Sequence, residues 1–395
     1  MKKNIAFAIC GCLFYAIGLS QSNTYGDVLS VIEQNNRELM AFKSFVEGKN
    51  LLNKTKNNLS DPQLSAYYLP FSSDKSSPDY SEFEVSQSFE FPTVYGARKK
   101  WNSIKAEQLE NEYLQLRQNV LLQSSKLLIE LISLKKQRDI EVHRHQKSKK
   151  VYEQVQELYN KEQVGILELN KAKVAWMQIQ FHVERVYLNQ ASVLNQLENL
   201  NGGETIFFNQ NDFLNQNDLT DFQTLWIEKL ERDPVLGNLK ANETASLQRI
   251  KVEKQKTLPN LTFGYNNQGI SGDRVSGVLG GVSIPLWNNK NKVKAAQENH
   301  KYQIAKTTSE VSKHEAIYYQ LYNTYVLLVK KYKAYKTIIE QLNSEELIYK
   351  AYALGEFSFM QYYIELEFFH DAYDEMLAME LELQQVKAEL LKHKL

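Results

Sequence analysis

The sequence predicts a mainly α-helical chain with a minor β part, built from two copies of one large unit. Each unit pairs a β-hairpin with a long coiled-coil helical hairpin. Three observations carry this. The segment Leu158-Tyr159-Asn160-Lys161-Glu162-Gln163-Val164-Gly165 is matched by Ile348-Tyr349-Lys350-Ala351-Tyr352-Ala353-Leu354-Gly355, at an offset of 190 (355 − 165). Ser88-Phe89-Glu90-Phe91-Pro92 is matched by Gly281-Val282-Ser283-Ile284-Pro285 at 193 (285 − 92), and Asp61-Pro62-Gln63-Leu64 by Leu258-Pro259-Asn260-Leu261 at 197 (259 − 62). Recurrence at so long a period marks a duplicated domain-sized unit rather than a solenoid of short repeats.

Residues 1–20 read as an export signal. Lys2 and Lys3 give a positive start, residues 5–19 an apolar run, and Gly18 and Ser20 small residues before a cut near Gln21. The run is short and broken by glycine, which disfavours a membrane anchor. Cys10 and Cys12 both lie inside it, so the mature chain is expected to hold no thiol, disulfide or thiolate metal site. Ile9-Cys10-Gly11-Cys12 loosely resembles a lipoprotein box, but cleavage there would leave residues 13–19 as an apolar tail. Lysine plus arginine balance aspartate plus glutamate at 47 each, which gives no basic face for nucleic acid.

The strands come from period-two patterning. Phe83, Val85, Phe89 and Phe91 alternate with Glu84, Ser86, Ser88 and Glu90, so one face is apolar and the other polar. The expected first hairpin spans 63–92, with a polar, breaker-rich loop at 71–79. The second copy supplies a hairpin over 259–286. Strands of roughly ten residues suit a tilted membrane span; a small soluble sheet is the blander alternative.

The helices follow from missing breakers. The prolines sit at 62, 70, 78, 92, 234, 259 and 285. From 97 to 201 the one glycine is Gly165, and from 286 to 395 it is Gly355. Interior proline costs a helix about 3 kcal/mol and glycine about 1. Two long helical hairpins are therefore expected over 97–201 and 290–395, turning near those glycines, with arms of about 60 residues or 90 Å before each turn. Leu114, Leu121, Leu128, Leu131 and Leu134, then Val174, Met177, Phe181, Leu188, Ala191, Leu194, Leu197 and Leu200, mark the buried stripe of a coiled coil. The predicted layout is a first repeat over 21–201, a linker or equatorial segment over 202–222, and a second repeat over 223–395, each repeat opening with a helix.

Two hairpins make four strands, too few to close a barrel. Open edges are not tolerated in lipid, so several chains must share one barrel if these strands span a membrane. Two chains give eight strands, a number that side chains fill. Three give twelve and leave a lumen.

The duplicated strand–strand–hairpin unit, Val85-Ser86-Gln87-Ser88-Phe89-Glu90-Phe91-Pro92, Gly280-Gly281-Val282-Ser283-Ile284-Pro285-Leu286, and the segments around Val164-Gly165 and Leu354-Gly355 together resemble the TolC-type outer-membrane efflux proteins. The resemblance covers nearly all of the mature chain. Short loops and Ser60-Asp61-Pro62 look most like the heavy-metal branch, the partners of cobalt/zinc/cadmium and copper/silver pumps. It implies a homotrimer with a twelve-stranded outer-membrane β-barrel continuing into a periplasmic α-helical barrel, in contact with outer-membrane lipid. It also implies two protein partners: a periplasmic adaptor (membrane fusion protein) and a proton-driven inner-membrane pump of the resistance-nodulation-division class.

In that family the glycine sits at the helix–helix turn of the periplasmic tip. This points to Gly165, Ile166, Leu167 and Leu169, and to Gly355, Phe357, Ser358 and Phe359, as the docking tip. Glycine would there supply a positive φ, and the apolar side chains would be exposed. Many relatives carry an aspartate six residues after the glycine. Lys171 and Gln361 stand there in this chain, and Glu168 is the nearest acid, so these three are the candidate gate-lining residues.

Catalytic readings find no support in the sequence. His143 and His145 diverge by about 200° on a helix and cannot share an ion with Glu141. His314-Glu315 lacks the second histidine of a zinc-protease motif. Gly277-Val278-Leu279-Gly280-Gly281 lies within a strand, where glycine permits close backbone approach. No enzyme, cofactor or metal site is expected. The rival readings are a periplasmic adaptor, with one hairpin and β-rich domains, and a structural coiled-coil envelope protein, without amphipathic strands.

Overall fold

A computed structural model of the chain describes residues 24–69, 80–213, 218–270, 273–342 and 344–395. The expected signal (1–20) and the expected loop 71–79 lie outside the described residues. Two helices open the chain, α1 (Tyr25–Asn35) and α2 (Arg37–Thr55). Strands β1 (Gln63–Leu69) and β2 (Tyr80–Phe89) follow, then α3 (Pro92–Asn160) and α4 (Ile166–Leu200). The second copy has the same order: α5 (Phe222–Arg232), α6 (Pro234–Gln255), β3 (Asn260–Ile270), β4 (Asp273–Ser283), α7 (Lys292–Leu342), α8 (Ser344–Ala353) and α9 (Phe359–Leu390). A 3-10 turn, Lys392–Lys394, ends the chain.

The break between the two opening helices recurs. Asn36 caps α2 by accepting from the Leu39 amide, and Asp233 caps α6 by accepting from the Val235 amide, at an offset of 197 (233 − 36). Both caps satisfy amides that a helix start leaves without partners. Proline opens α3 and α6, where its missing N–H costs nothing. Phe91, expected in a strand, is instead the N-cap of α3, because Pro92 starts that helix and ends the sheet.

The helical arms are unequal. At 69 residues, α3 extends roughly 100 Å, whereas α4 has 35 residues. The difference arises because α4 returns only part of the way, and α2 takes over beside the rest of α3. Asn36 Nδ2 donates to the Leu200 carbonyl at 2.8 Å, and Asn35 Nδ2 to Asn201 Oδ1 at 3.0 Å, so the end of α4 abuts the start of α2. Gly202 lies at this joint with φ +72°, and a Cβ there would sit 2.5 Å from the Asn35 carbonyl oxygen. Only glycine fits that conformation and that space.

Around the joint, Ile32, Leu128, Leu131, Ile132, Val193 and Leu197 form a core with Phe208 and Phe213 of the equatorial segment. A second core joins α5, α7 and α9 through Leu225, Trp226, Tyr318, Tyr325 and Leu390. The C-terminal residue is tied in by Arg117, whose Nη1 donates to the Leu395 carbonyl while its other nitrogens hold Glu33 at 2.6 and 2.7 Å.

The four strands form one antiparallel sheet in the order β1-β2-β3-β4. The two copies meet at β2–β3, where Val85 pairs with Tyr265 and Phe83 with Asn267. That register puts Leu64, Phe83, Val85, Phe89, Phe263, Tyr265, Val278 and Val282 on one face. The opposite face carries Glu82, Glu84, Ser86, Ser88, Thr262, Asn266 and Gln268. Glu82 accepts from Tyr80 Oη at 2.7 Å and from Gln268 Nε2 at 3.3 Å, so the polar face has its own hydrogen-bonded strip. No helix among the described residues is long and apolar enough to cross a membrane.

Candidate functional site

At the end farthest from the sheet, α3 turns into α4 and α8 into α9. The α3 end closes with Glu162 N to Tyr159 O and Gln163 N to Leu158 O, both 2.9 Å. The α8 end closes with Gly355 N to Tyr352 O and Glu356 N to Ala351 O, both 3.0 Å. These are the paired bonds of a Schellman stop, which requires a left-handed residue after the cap. That residue is Glu162 (φ 58°) in the first copy and Gly355 (φ 79°) in the second. The structural offset is therefore 193 (355 − 162), the value carried by the strands.

Gly165 is thus not the counterpart of Gly355. It is the N-cap of α4, with φ −84° and ψ 162°, and matches Ser358, the N-cap of α9. The expected positive φ at Gly165 is absent because the reversal is completed three residues earlier, at Glu162. Ser358 and Gln361 form a capping box: the Gln361 amide donates to Ser358 Oγ at 3.3 Å and Gln361 Oε1 accepts from the Ser358 amide at 3.0 Å. Gln361 accordingly corresponds to Glu168, the N3 residue of α4, and Lys171 corresponds to the exposed Ile364.

The tip's apolar residues divide into two sets. Phe359, expected to be exposed, is only 6% exposed and lies in a core with Val151, Val155, Ala172, Ala175, Tyr362 and Leu366. Phe357 and Leu169 are half-buried against that core. Ile166, Leu167 (72% exposed), Leu354 and Met360 remain open to solvent. A cleft of about 470 Å³ separates the two turns, lined by Val155, Val164, Glu168, Tyr352, Gly355 and Phe359. Burial, with the Glu168 charge second, pushes the Tyr352 hydroxyl up.

Above the tip lies an ionic cluster that the sequence does not announce. Arg144 Nη1 reaches Glu141 at 2.6 Å and Asp374 at 3.0 Å, and Glu141 and Arg144 are both buried. Glu345 is 3.8 Å from His370 and 3.2 Å from Lys147, and these two neighbours pull its carboxyl down to about 2. Apart from Glu141 and Arg144, three residues apart on α3, the cluster joins different helices (Arg144 on α3, Asp374 on α9), so no local motif could reveal it. His145 takes a hydrogen bond from Trp176 at 3.0 Å, and Trp176 stacks on Tyr152. Among the described residues, no group of three or more histidine, cysteine or acidic side chains could hold a metal ion.

No protein-family model and no curated protein matches the chain. Solved structures do. CusC, whose crystal structures concern folding and transmembrane channel formation, superposes with a TM-score of 0.76 at 13% identity, covering 93% of this chain and 91% of CusC. The outer-membrane protein VceC of Vibrio cholerae gives 0.72 at 12% identity, over 93% of this chain and 95% of VceC. The open-state MtrE outer-membrane channel of Neisseria gonorrhoeae gives 0.65 at 12%, over 93% and 87%. The chain has the fold of these outer-membrane channels. In that fold the amphipathic sheet and the four-helix tip are the two ends of one elongated unit.

Proposed function

We propose that this chain is the outer-membrane channel of a tripartite efflux system, a passive exit duct and not a catalyst. Three copies pool their sheets into a twelve-stranded barrel, and their helices continue it as a periplasmic tube. One observation supports this above all. A four-stranded sheet with an apolar face and two open edges stands at the end of long helices, of which α3 extends roughly 100 Å. Its edges need partner strands in lipid, and a chain with the same fold at each edge supplies them. On this reading the cargo is metal ions or small toxic compounds, in keeping with the heavy-metal branch. A proton-driven inner-membrane pump and a periplasmic adaptor deliver it.

The adaptor docks on the exposed apolar residues of the tip, Ile166, Leu167, Leu354 and Met360, beside the cleft that Glu168 lines. Lys171 and Gln361 lie on the same two α4 and α9 starts. Gln361 serves as a cap, which leaves Glu168 and Lys171 as the gate-lining candidates.

Two measurements test the proposal. Purified protein in planar bilayers is expected to give discrete pore currents; reproducible turnover of a substrate without conductance would refute the conduit. Leu167→Asp with Leu354→Asp is expected to leave the assembly folded in the outer membrane yet abolish adaptor cross-linking and efflux. Retention of both activities would move the docking site elsewhere.

A further inference from the structure

The junction between sheet and helices carries a one-sided charge. Four helix ends meet four strands there: the C-termini of α2 and α6 and the N-termini of α3 and α7. They are laced side by side. Arg98 Nη1 donates to the Lys56 carbonyl at 3.1 Å, Asn102 Nδ2 to the Asn53 carbonyl at 2.7 Å, and Gln248 Nε2 to the Ala97 carbonyl at 2.9 Å. Asn289 Nδ2 donates to the Lys256 carbonyl. Residues 54–61, 90–105, 249–259 and 288–297, which make up this level, hold thirteen lysines and arginines against three acids. The chain as a whole is neutral, so the segregation is local. Two of the three acids are already matched, Glu90 by Arg98 and Glu253 by Arg249. Lys54, Lys56 and Lys254 stand at helix C-terminal ends, but Lys99, Lys100, Lys290 and Lys292 do not, and all seven are exposed.

Helix electrostatics does not account for the excess. Lysine near a helix C-terminus is favourable, as at Lys54 and Lys254. An N-terminus prefers acids, yet neither α3 nor α7 has one in its first turn, and α7 opens on Lys292 with Lys294 two residues on. Those N-termini add their own positive dipole ends to the lysines and favour an external anion.

The layer just above is apolar. Val282, Ile284 and Leu286 are exposed, and Trp287 is 81% exposed. An apolar band, then tryptophan, then lysine is the sequence of layers met in crossing from hydrocarbon through headgroups to water. Trp101, on the water side, is flanked by Arg249 and Lys105, whose charges lie 5.0 and 5.8 Å from its ring centroid. At the far end of the sheet the charges are mixed, with Asp273 beside Arg274.

We propose that this basic girdle binds anionic phospholipid headgroups of the bilayer leaflet nearer the helices, and so sets the depth at which the sheet sits. This rests on the membrane reading above. A lipid surface is favoured over a soluble polyanion because the charge adjoins an exposed apolar band rather than a polar groove.

The test uses the full mature protein, reconstituted in phosphatidylcholine vesicles with brominated phosphatidylglycerol or brominated phosphatidylcholine as quencher of tryptophan fluorescence. Trp101 and Trp287 report on the girdle; Trp176 and Trp226 sit in the helical part and set the baseline. Phosphatidylglycerol is expected to associate about threefold or more tightly than phosphatidylcholine, and the preference should vanish in roughly 0.5 M salt. It should also fall to parity in a variant carrying Lys99→Gln, Lys100→Gln, Lys290→Gln and Lys292→Gln, with pore conductance retained. Equal association of the two lipids with the unaltered protein overturns the proposal and leaves the membrane reading standing. A preference that survives in the variant overturns the assignment to these lysines. Quenching by neither lipid removes both readings, since Trp287 then lies outside any bilayer.

Discussion

At the scale of single residues, the two tip glycines are not equivalent although the sequence aligns them. Both have open space around them, but Gly355 sits at φ 79°, a left-handed conformation that a Cβ disfavours, whereas Gly165 is extended. Gly355→Ala is expected to destabilise the tip by about 1 kcal/mol, and Gly165→Ala by a few tenths, the ordinary difference at an N-cap filled by a poor capping residue. Thermal unfolding of the two variants checks this, and equal losses would contradict it. Phe359 teaches the same lesson. Its pattern matches that of an exposed tip residue, yet it packs against Val155 and Tyr362, so Phe359→Asp would unfold the tip before it reported on docking.

Glu345 adds a pH dependence at the same scale. Its carboxyl, near 2 in the folded chain, lies below its unfolded value of 4.5. The stability it contributes is therefore complete above about pH 4.5 and is lost as pH falls toward 2. Solvent on its open side reduces that contribution to about 1–2 kcal/mol. Melting of Glu345→Gln should converge with the unaltered protein on acidification and fall below it at neutral pH. Parallel curves across that range would show that the pair with His370 and Lys147 contributes nothing.

At the scale of elements, the sheet is organised by its register. Pairing of Val85 with Tyr265 and Glu84 with Asn266 keeps each strand's apolar set on one face. A slip of one residue would turn every side chain over. Phe83→Arg is expected to reduce membrane assembly, at a cost of roughly 2–4 kcal/mol for a lipid-facing midplane site. Glu84→Arg, on the polar face, should assemble. Heat-resistant oligomer on gels is the readout, and the reverse ranking would invert the assigned faces. The helices follow a different logic. The 3.6-residue stripe and the absence of breakers made α3 legible, but the stop of α4 at Leu200 depends on the tight passage at Gly202 and the abutting α2.

At the scale of the whole molecule, the open edges of β1 and β4 dictate assembly. The cysteines of the sequence lie within residues 1–12, so engineered thiols in the sheet would be unaccompanied in the expected mature chain. Ser65→Cys on β1, combined in turn with single cysteines along β4, is expected to give oxidised species that end at three chains, with the closed trimer as the largest. A ladder that continues beyond three, or one that never leaves the monomer, would refute the shared twelve-stranded barrel.

What the sequence determined by itself is local in origin. Alternating Phe83, Val85 and Phe89 defined a strand, proline and glycine placement defined the long helices, and the recurrence of Pro62 and Pro92 at Pro259 and Pro285 defined the duplication. Each follows from backbone periodicity or steric exclusion within a few residues. Three features were decided by the tertiary structure alone: the 193-residue equivalence at the tip, the burial of Phe359, and the meeting of Arg144 with Asp374. The tip offset escaped the sequence because a Schellman stop needs a left-handed residue, and Glu162 holds that conformation in one copy where glycine holds it in the other. The other two depend on which helix faces which, and that is settled by packing between segments some two hundred residues apart, beyond the reach of any local pattern.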